Sequence, residues 1–270
     1  MKVLFIGEIV SKAGVFTVKK LLAGLKKEKE IDFVIANGNG VTGGFGMGKN
    51  HSLYLKKLGI DAISSGECVF YKKDMVSFIP KASFLLRPAN YPPGSPGRGW
   101  GIYNVGDQKI AVINLLGQSG YQRVHLSNPF SYVPDLIKRV KETTPNIIVN
   151  FHATTTAERQ TLSYVVDGTV SAMIGTGTKA LTADACLMEK GTAMITDAGR
   201  TGSLNSVGGL ASDVEIRKFI NQIPERSQDA WDQLELQGVL LDIDDQGKAL
   251  SIETLRIPCL ERPDDTTDNR

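Results

Sequence analysis

Short, wholly apolar runs bounded by glycine alternate with stretches whose apolar residues recur at helical spacing. KVLFIG at 2–7 is followed by apolar positions Phe16, Val18, Leu21, Leu22 and Leu25, and then by a second run, FVIANG, at 33–38. YLKKLGIDAISSG at 54–66 reads as a helix end, a glycine stop and a third strand. Strands that are apolar over their whole length, alternating with helices, predict a mainly parallel sheet buried on both faces.

The segment RPANYPPGSPGRGWG (87–101) is too rich in Pro and Gly to be anything but a loop. GIYNV (101–105) and KIAVINLLG (109–117) flank a short Gly-Asp-Gln turn and predict a hairpin. A helix is expected over 129–142, interrupted early by Pro134, and a buried strand over 146–152. TTTAERQTLSYVVDG (154–168) supplies a threonine cap, a helix and a glycine stop. MIGTGTKALTAD (173–184) runs from a buried strand into a tight loop, and 193–199 is a further strand. Residues 236–257 alternate around a turn at Asp245-Gln246-Gly247, which predicts an antiparallel hairpin at a sheet edge. There is no repeat and no interdomain linker. One domain over 1–258 is expected, followed by a disordered polar tail over 259–270.

Composition adds few constraints. The chain has 270 residues, 41% hydrophobic and 22% charged, with a net charge of +2, so neither nucleic-acid polymers nor membrane insertion are indicated. Cys68, Cys186 and Cys259 form no CxxC pair, which argues against a zinc ribbon or a disulfide framework and for a reducing cytoplasm.

Chemistry in such folds gathers where strands end. Reading those exits in order gives Glu8, then Asn39 and Gly40, then Glu67 and Cys68, then His152, and finally Gly177 and Lys179. His51 and His125 fall on a helix start and a loop, as surface residues; Asp184 and Asp197 read as structural turn residues.

The stretches LLRPANYPPGSPGRG, AVINLLGQ, NFHATTTAE, DGTVSAMIGTGT, LTAD and GTAMITDAGRTGS resemble the YmdB-type bacterial metallophosphoesterases, a calcineurin-like family with a dinuclear metal centre. The resemblance runs in order from Met1 to about Ile257. It implies an α/β protein, a four-layer α/β/β/α sandwich, with phosphodiesterase ancestry, cyclic-nucleotide substrates and assembly as a homo-oligomer. The family's Gly-Asp is Gly7-Glu8 here, and its Asn-Gly-Glu-Asn, whose Glu bridges both ions, is Asn37-Gly38-Asn39-Gly40. Its Gly-Asn-His, whose His is the expected proton donor, is Gly66-Glu67-Cys68. Phe151-His152 keeps the family's pair, while Gly-Thr-His-Thr-His has become Gly175-Thr176-Gly177-Thr178-Lys179.

Of the metal-site and catalytic positions, only His152 keeps the family's residue. On that basis the expectation is a degenerate, catalytically inactive protein with a structural or regulatory role, retaining oligomerisation or nucleotide binding, with a protein partner in an assembly as a further expectation. The alternative is a divergent cyclic-nucleotide phosphodiesterase using Cys68 and His152, or a residual mononuclear site of Asn39, Glu67 and His152. No cofactor is expected; the alternative is one weakly bound Mn, Fe or Zn ion. Glu8 and Lys179 are expected to face each other as a structural ion pair, an ammonium standing where a metal would have been.

Overall fold

A computed structural model describes residues 1–121 and 125–261. The first part of the chain forms β1 (Lys2–Ile6), β2 (Glu8–Ile9), α1 (Ser11–Glu28), β3 (Phe33–Asn37), α2 (Lys49–Lys57), β4 (Ala62–Ser64), α3 (Lys73–Phe78) and β5 (Leu85–Leu86). The hairpin β6 (Trp100–Val105) and β7 (Gln108–Leu116) follows, then α4 (Pro129–Lys141), β8 (Ile147–His152), α5 (Thr156–Val166) and β9 (Ala172–Thr176). The last part comprises β10 (Cys186–Leu187), β11 (Ala193–Ile195), β12 (Arg200–Ser203), α6 (Ser212–Asn221), β13 (Leu234–Ile243) and β14 (Ala249–Pro258).

These strands form two sheets. The first runs β2-β12-β13-β1-β3-β4-β5, with β14 added to β13. Strands β1, β3, β4 and β5 are parallel, whereas β13 is antiparallel to β1, β12 and β14. The second sheet runs β10-β11-β9-β8-β7-β6 and is parallel from β7 through β11.

Three apolar layers explain why the sheets stack. Val3, Phe5 and Ile35 of the first sheet meet Ile110, Ile148 and Ile174 of the second. Outside the first sheet lie Val18 and Leu22 of α1 and Leu55 of α2. Outside the second lie Val133, Leu136 and Val140 of α4 and Leu162 of α5. Strands of both sheets are thus covered on both faces, as their continuous apolar composition requires. The result is the four-layer α/β/β/α sandwich. Among the described residues, no helix is long and apolar enough to cross a membrane.

Two local expectations are corrected. Pro134 does not interrupt α4, which runs unbroken past it. Asn128 caps the helix through the Phe130 N–H, and the buried Val133–Val140 stripe outweighs the single backbone bond that the proline ring deletes. Cys259, placed in the tail by its sequence, is buried beside Ala13, Phe16 and Leu234, and its N–H donates to the Leu234 carbonyl at 2.8 Å. The rest of the expected tail, 262–270, lies outside the described residues.

Candidate functional site

The carboxyl ends of β1, β3 and β4 in one sheet and of β8 and β9 in the other open onto the same place. Residue pairing fixes this: His152 lies opposite Thr176 across β8 and β9, and Asn37 opposite Ser64 across β3 and β4. Asn37 then ties the two sheets together, its Nδ2 donating to Thr176 Oγ1 at 3.1 Å. Thr176 Oγ1 also accepts from Asn150 Nδ2 at 3.0 Å and stands 3.0 Å from His152 Nδ1. The imidazole is fixed from behind by this polar set and covered by Tyr121, whose ring stacks on it at 6.1 Å between centroids.

The front of His152 meets the first sheet. Its Nε2 is 3.1 Å from Glu67 Oε2 and 3.3 Å from Asn39 Nδ2, and Asn39 Nδ2 donates to Glu67 Oε2 at 3.1 Å. Gly66 makes the approach possible: a Cβ there would stand 2.4 Å from His152 Cδ2 and 2.9 Å from Asn39 Cγ. The predicted amide–carboxylate–imidazole set is therefore assembled. Burial opposes charge on His152, but the hydrogen bond and charge of Glu67 outweigh it and lift the imidazole pKa. Burial likewise opposes charge on Glu67, yet the contact with His152 and the Cys68 thiol bring it down to about 2.

Glu8 and Lys179 form the second half of the site. Lys179 Nζ lies 3.5 Å from Glu8 Oε1, with the carboxylate fully buried and about a quarter of the lysine side chain exposed. Gly40 leaves room for the carboxylate, since a Cβ there would stand 2.8 Å from Oε1. Lys179 occupies the left-handed backbone region at φ 61°, unusual for a non-glycine residue, and Gly177 precedes it at φ 123°. Asp197 holds that loop by accepting from the N–H and hydroxyl of Thr178 at 2.8 and 2.7 Å, and Arg200 Nη1 donates to the Lys179 carbonyl at 2.9 Å. The charge of Glu8 raises the Lys179 pKa against the opposing effect of burial, so the ammonium persists. Burial pushes the Glu8 carboxyl above the usual carboxylate range, with Lys179 pulling the other way.

The two ions that the resemblance implies do not fit these residues. Asn39 Oδ1 accepts the backbone N–H groups of Gly66 and Cys68 at 2.9 and 3.2 Å, which fixes the orientation of the amide. Its Nδ2, a donor without a lone pair for a metal, is the group aimed at Glu67 and His152. The Lys179 ammonium takes up the contact with Glu8 that an ion would need. Among the described residues, no group of three or more His, Cys, Asp or Glu side chains could hold a metal ion.

Cys68 is not placed to act as a nucleophile. Its Sγ donates to Glu67 Oε1 at 3.2 Å, and burial followed by the Glu67 charge pushes the thiol well above its ordinary pKa, the opposite of thiolate activation. His51 is half-buried against Thr42 away from these strand ends, His125 is exposed, and Asp184 accepts the Thr196 N–H, so none of the three belongs to the site. Asp197 does more than turn the chain: it forms a fully buried pair with Arg159 at 2.5 Å behind the Lys179 loop. Sequence reading missed this pair, together with Asn150 and Tyr121, and gave Asn37 and Thr176 no role beyond their place in the strand-end motifs. A signal was present, since Asn150 is a polar residue inside a largely apolar strand and Asn37 and Thr176 are the polar last residues of theirs.

The family model described as "YmdB-like protein" matches residues 4–255. A Bacillus subtilis protein named 2′,3′-cyclic-nucleotide 2′-phosphodiesterase is 37% identical over 258 residues, covering 95% of this chain and 97% of that one. A Mycoplasma pneumoniae protein named putative phosphatase/phosphodiesterase is 32% identical, covering 95% and 93%. A crystal structure described as a novel phosphatase from Mycoplasma pneumoniae superposes with a TM-score of 0.89 at 31% identity, covering 96% of this chain and 93% of that one. These findings overturn the expectation of a degenerate, inactive protein with a structural or regulatory role. That expectation counted lost metal ligands, whereas the relatives are named as enzymes along nearly the whole chain. The strand ends still present a cation and a hydrogen-bonded carboxylate–imidazole pair.

Proposed function

Since this chain belongs to the YmdB-like protein family, we propose that it is a divergent phosphodiesterase that cleaves a nucleotide phosphodiester, of the cyclic type, at the strand-end site that holds Lys179 and His152. The observation that carries this reading is the juxtaposition of the Lys179–Glu8 and His152–Glu67 pairs at the facing strand ends of two sheets. Lys179 and Glu67 reach solvent while Glu8 and His152 lie beneath them, so a phosphate would meet the ammonium first. The ammonium neutralises charge on the non-bridging oxygens, a role that a fixed cation performs without reorganising. Water adds to phosphorus and gives its proton to Glu8, whose affinity for a proton burial raises. The bond to one ribose oxygen breaks, and that oxygen takes its proton from His152, whose charged form Glu67 favours. No step requires a resident metal, and the purified protein is expected to carry less than one equivalent of Mn, Fe or Zn. The three free thiols support a cytoplasmic location.

The test is hydrolysis of 2′,3′-cyclic AMP and of bis-p-nitrophenyl phosphate, with chelator and with added Mn. Turnover that survives chelation and falls by about 10²-fold or more in Lys179→Met and His152→Asn is expected. Wild-type turnover no higher than that of His152→Asn, or turnover that appears only with Mn, would falsify the reading.

A further inference from the structure

A second cavity, of about 210 Å³, lies between α1, α2 and the segment leading into β13, and shares no residue with the site above. Its floor is apolar, made by the buried Val15 and Phe16. Two half-exposed aromatic side chains, Tyr54 and Trp231, line it, and Trp231 is braced edge-on against Phe16 at 6.0 Å between centroids. Lys12 and Lys19 also line it; seven residues apart on α1, they stand two turns from each other on one helix face. Among the described residues, no ion pair involves the Lys12 or Lys19 ammonium. Asp229, the nearby acid, directs Oδ2 to the Lys12 backbone N–H instead.

These features select a ligand by chemistry. Two unpaired ammonium groups favour an anion, and flat aromatic side chains favour a planar ring between them. An apolar cavity of about 150 Å³ holds a benzene ring, so this one has room for a fused pair of rings. We infer that the cavity is a binding site for a small planar aromatic anion, distinct from the phosphodiester pocket. His51 also lines the cavity and turns Nδ1 to Thr42, which leaves its other ring nitrogen for the ligand.

Naphthalene-2-carboxylate, which has no phosphoester to cleave, is the probe, and Trp231 fluorescence is the readout. Saturable quenching is expected in the wild type and absent from Trp231→Phe. The Lys12→Gln/Lys19→Gln double variant, altered only at exposed positions, should weaken binding by about tenfold, and uncharged 2-naphthamide should bind weaker than the acid by a similar factor. The inference is overturned by an unsaturated signal up to about 5 mM, by equal binding of acid and amide, or by a double variant that binds as the wild type does. Calorimetry on the same proteins gives a readout independent of the indole. None of these outcomes depends on whether the phosphodiester pocket is active.

Discussion

Replacing Lys179 by methionine would leave Glu8 buried without a counter-charge, since neither carboxylate oxygen has a hydrogen-bond partner among the described residues. At the observed 3.5 Å and an effective dielectric of about 20, the lost attraction is about 5 kcal/mol. Lys179 also regains hydration on unfolding, and about a quarter of its side chain is solvated already, so the net cost is smaller. We expect Lys179→Met to lose about 3 kcal/mol, the lower end of what breaking a buried pair costs. For a domain of this size that lowers the melting temperature by roughly 6–12 °C. Adding Glu8→Gln removes the stranded charge and should recover about 2 kcal/mol. The sign of the pH dependence follows from Glu8. A carboxyl whose folded pKa is raised favours the native state at low pH and loses that contribution as pH rises through the folded pKa. Without Lys179 the folded pKa rises further, so the deficit of the single variant should shrink on acidification as Glu8 is protonated. Urea melts followed by circular dichroism at neutral and mildly acidic pH measure all three proteins. Equal stability of the single and double variants at neutral pH would refute the ion-pair reasoning.

Glu67→Gln should cost up to about 3 kcal/mol at neutral pH, because the native state holds Glu67 at about 2 against an unfolded value near 4.5. The sign is opposite to that for Glu8: the contribution is present above about 4.5 and lost as pH falls toward 2, so variant and wild-type melts should converge in acid. Arg159→Met strands the buried Asp197 and should destabilise by about 3–5 kcal/mol; a melt unchanged within error would show that the Thr178 and Gly199 hydrogen bonds suffice to hold Asp197. Gly66→Ala forces a methyl group to within 2.5 Å of His152 Nε2, so the ring or Asn39 must move. Its imidazole resonances should shift in NMR spectra, and turnover should fall; an unmoved imidazole would contradict the packing described for the site.

The longer strands and helices were legible in the sequence because they depend on local periodicity, with apolar runs, glycine stops and threonine caps acting over a few residues, whereas α3, α6 and the short strands β5, β10 and β12 were not read. The same is true of which residues leave the strand ends, so Glu8, Asn39, Glu67, His152 and Lys179 were identifiable as neighbours once an α/β fold was read. The continuity of α4 through Pro134 was not legible, because the deciding quantity is burial against a sheet formed by other segments. Nor was the inward packing of Cys259 against α1 and β13. Only the tertiary structure decided which way the Asn39 amide points, since the backbone N–H groups that orient it come from Gly66 and Cys68. Only the tertiary structure joined Arg159 to Asp197 across 38 positions, and placed Asn37 against Thr176 across 139. Such pairings depend on long-range contacts that bring donors and acceptors into a low-dielectric interior, where each must find a partner. A list of replaced ligands, read along the chain, contains no such information. It records what was lost from the site but not the cation and the carboxylate–imidazole pair that the folded chain assembles there.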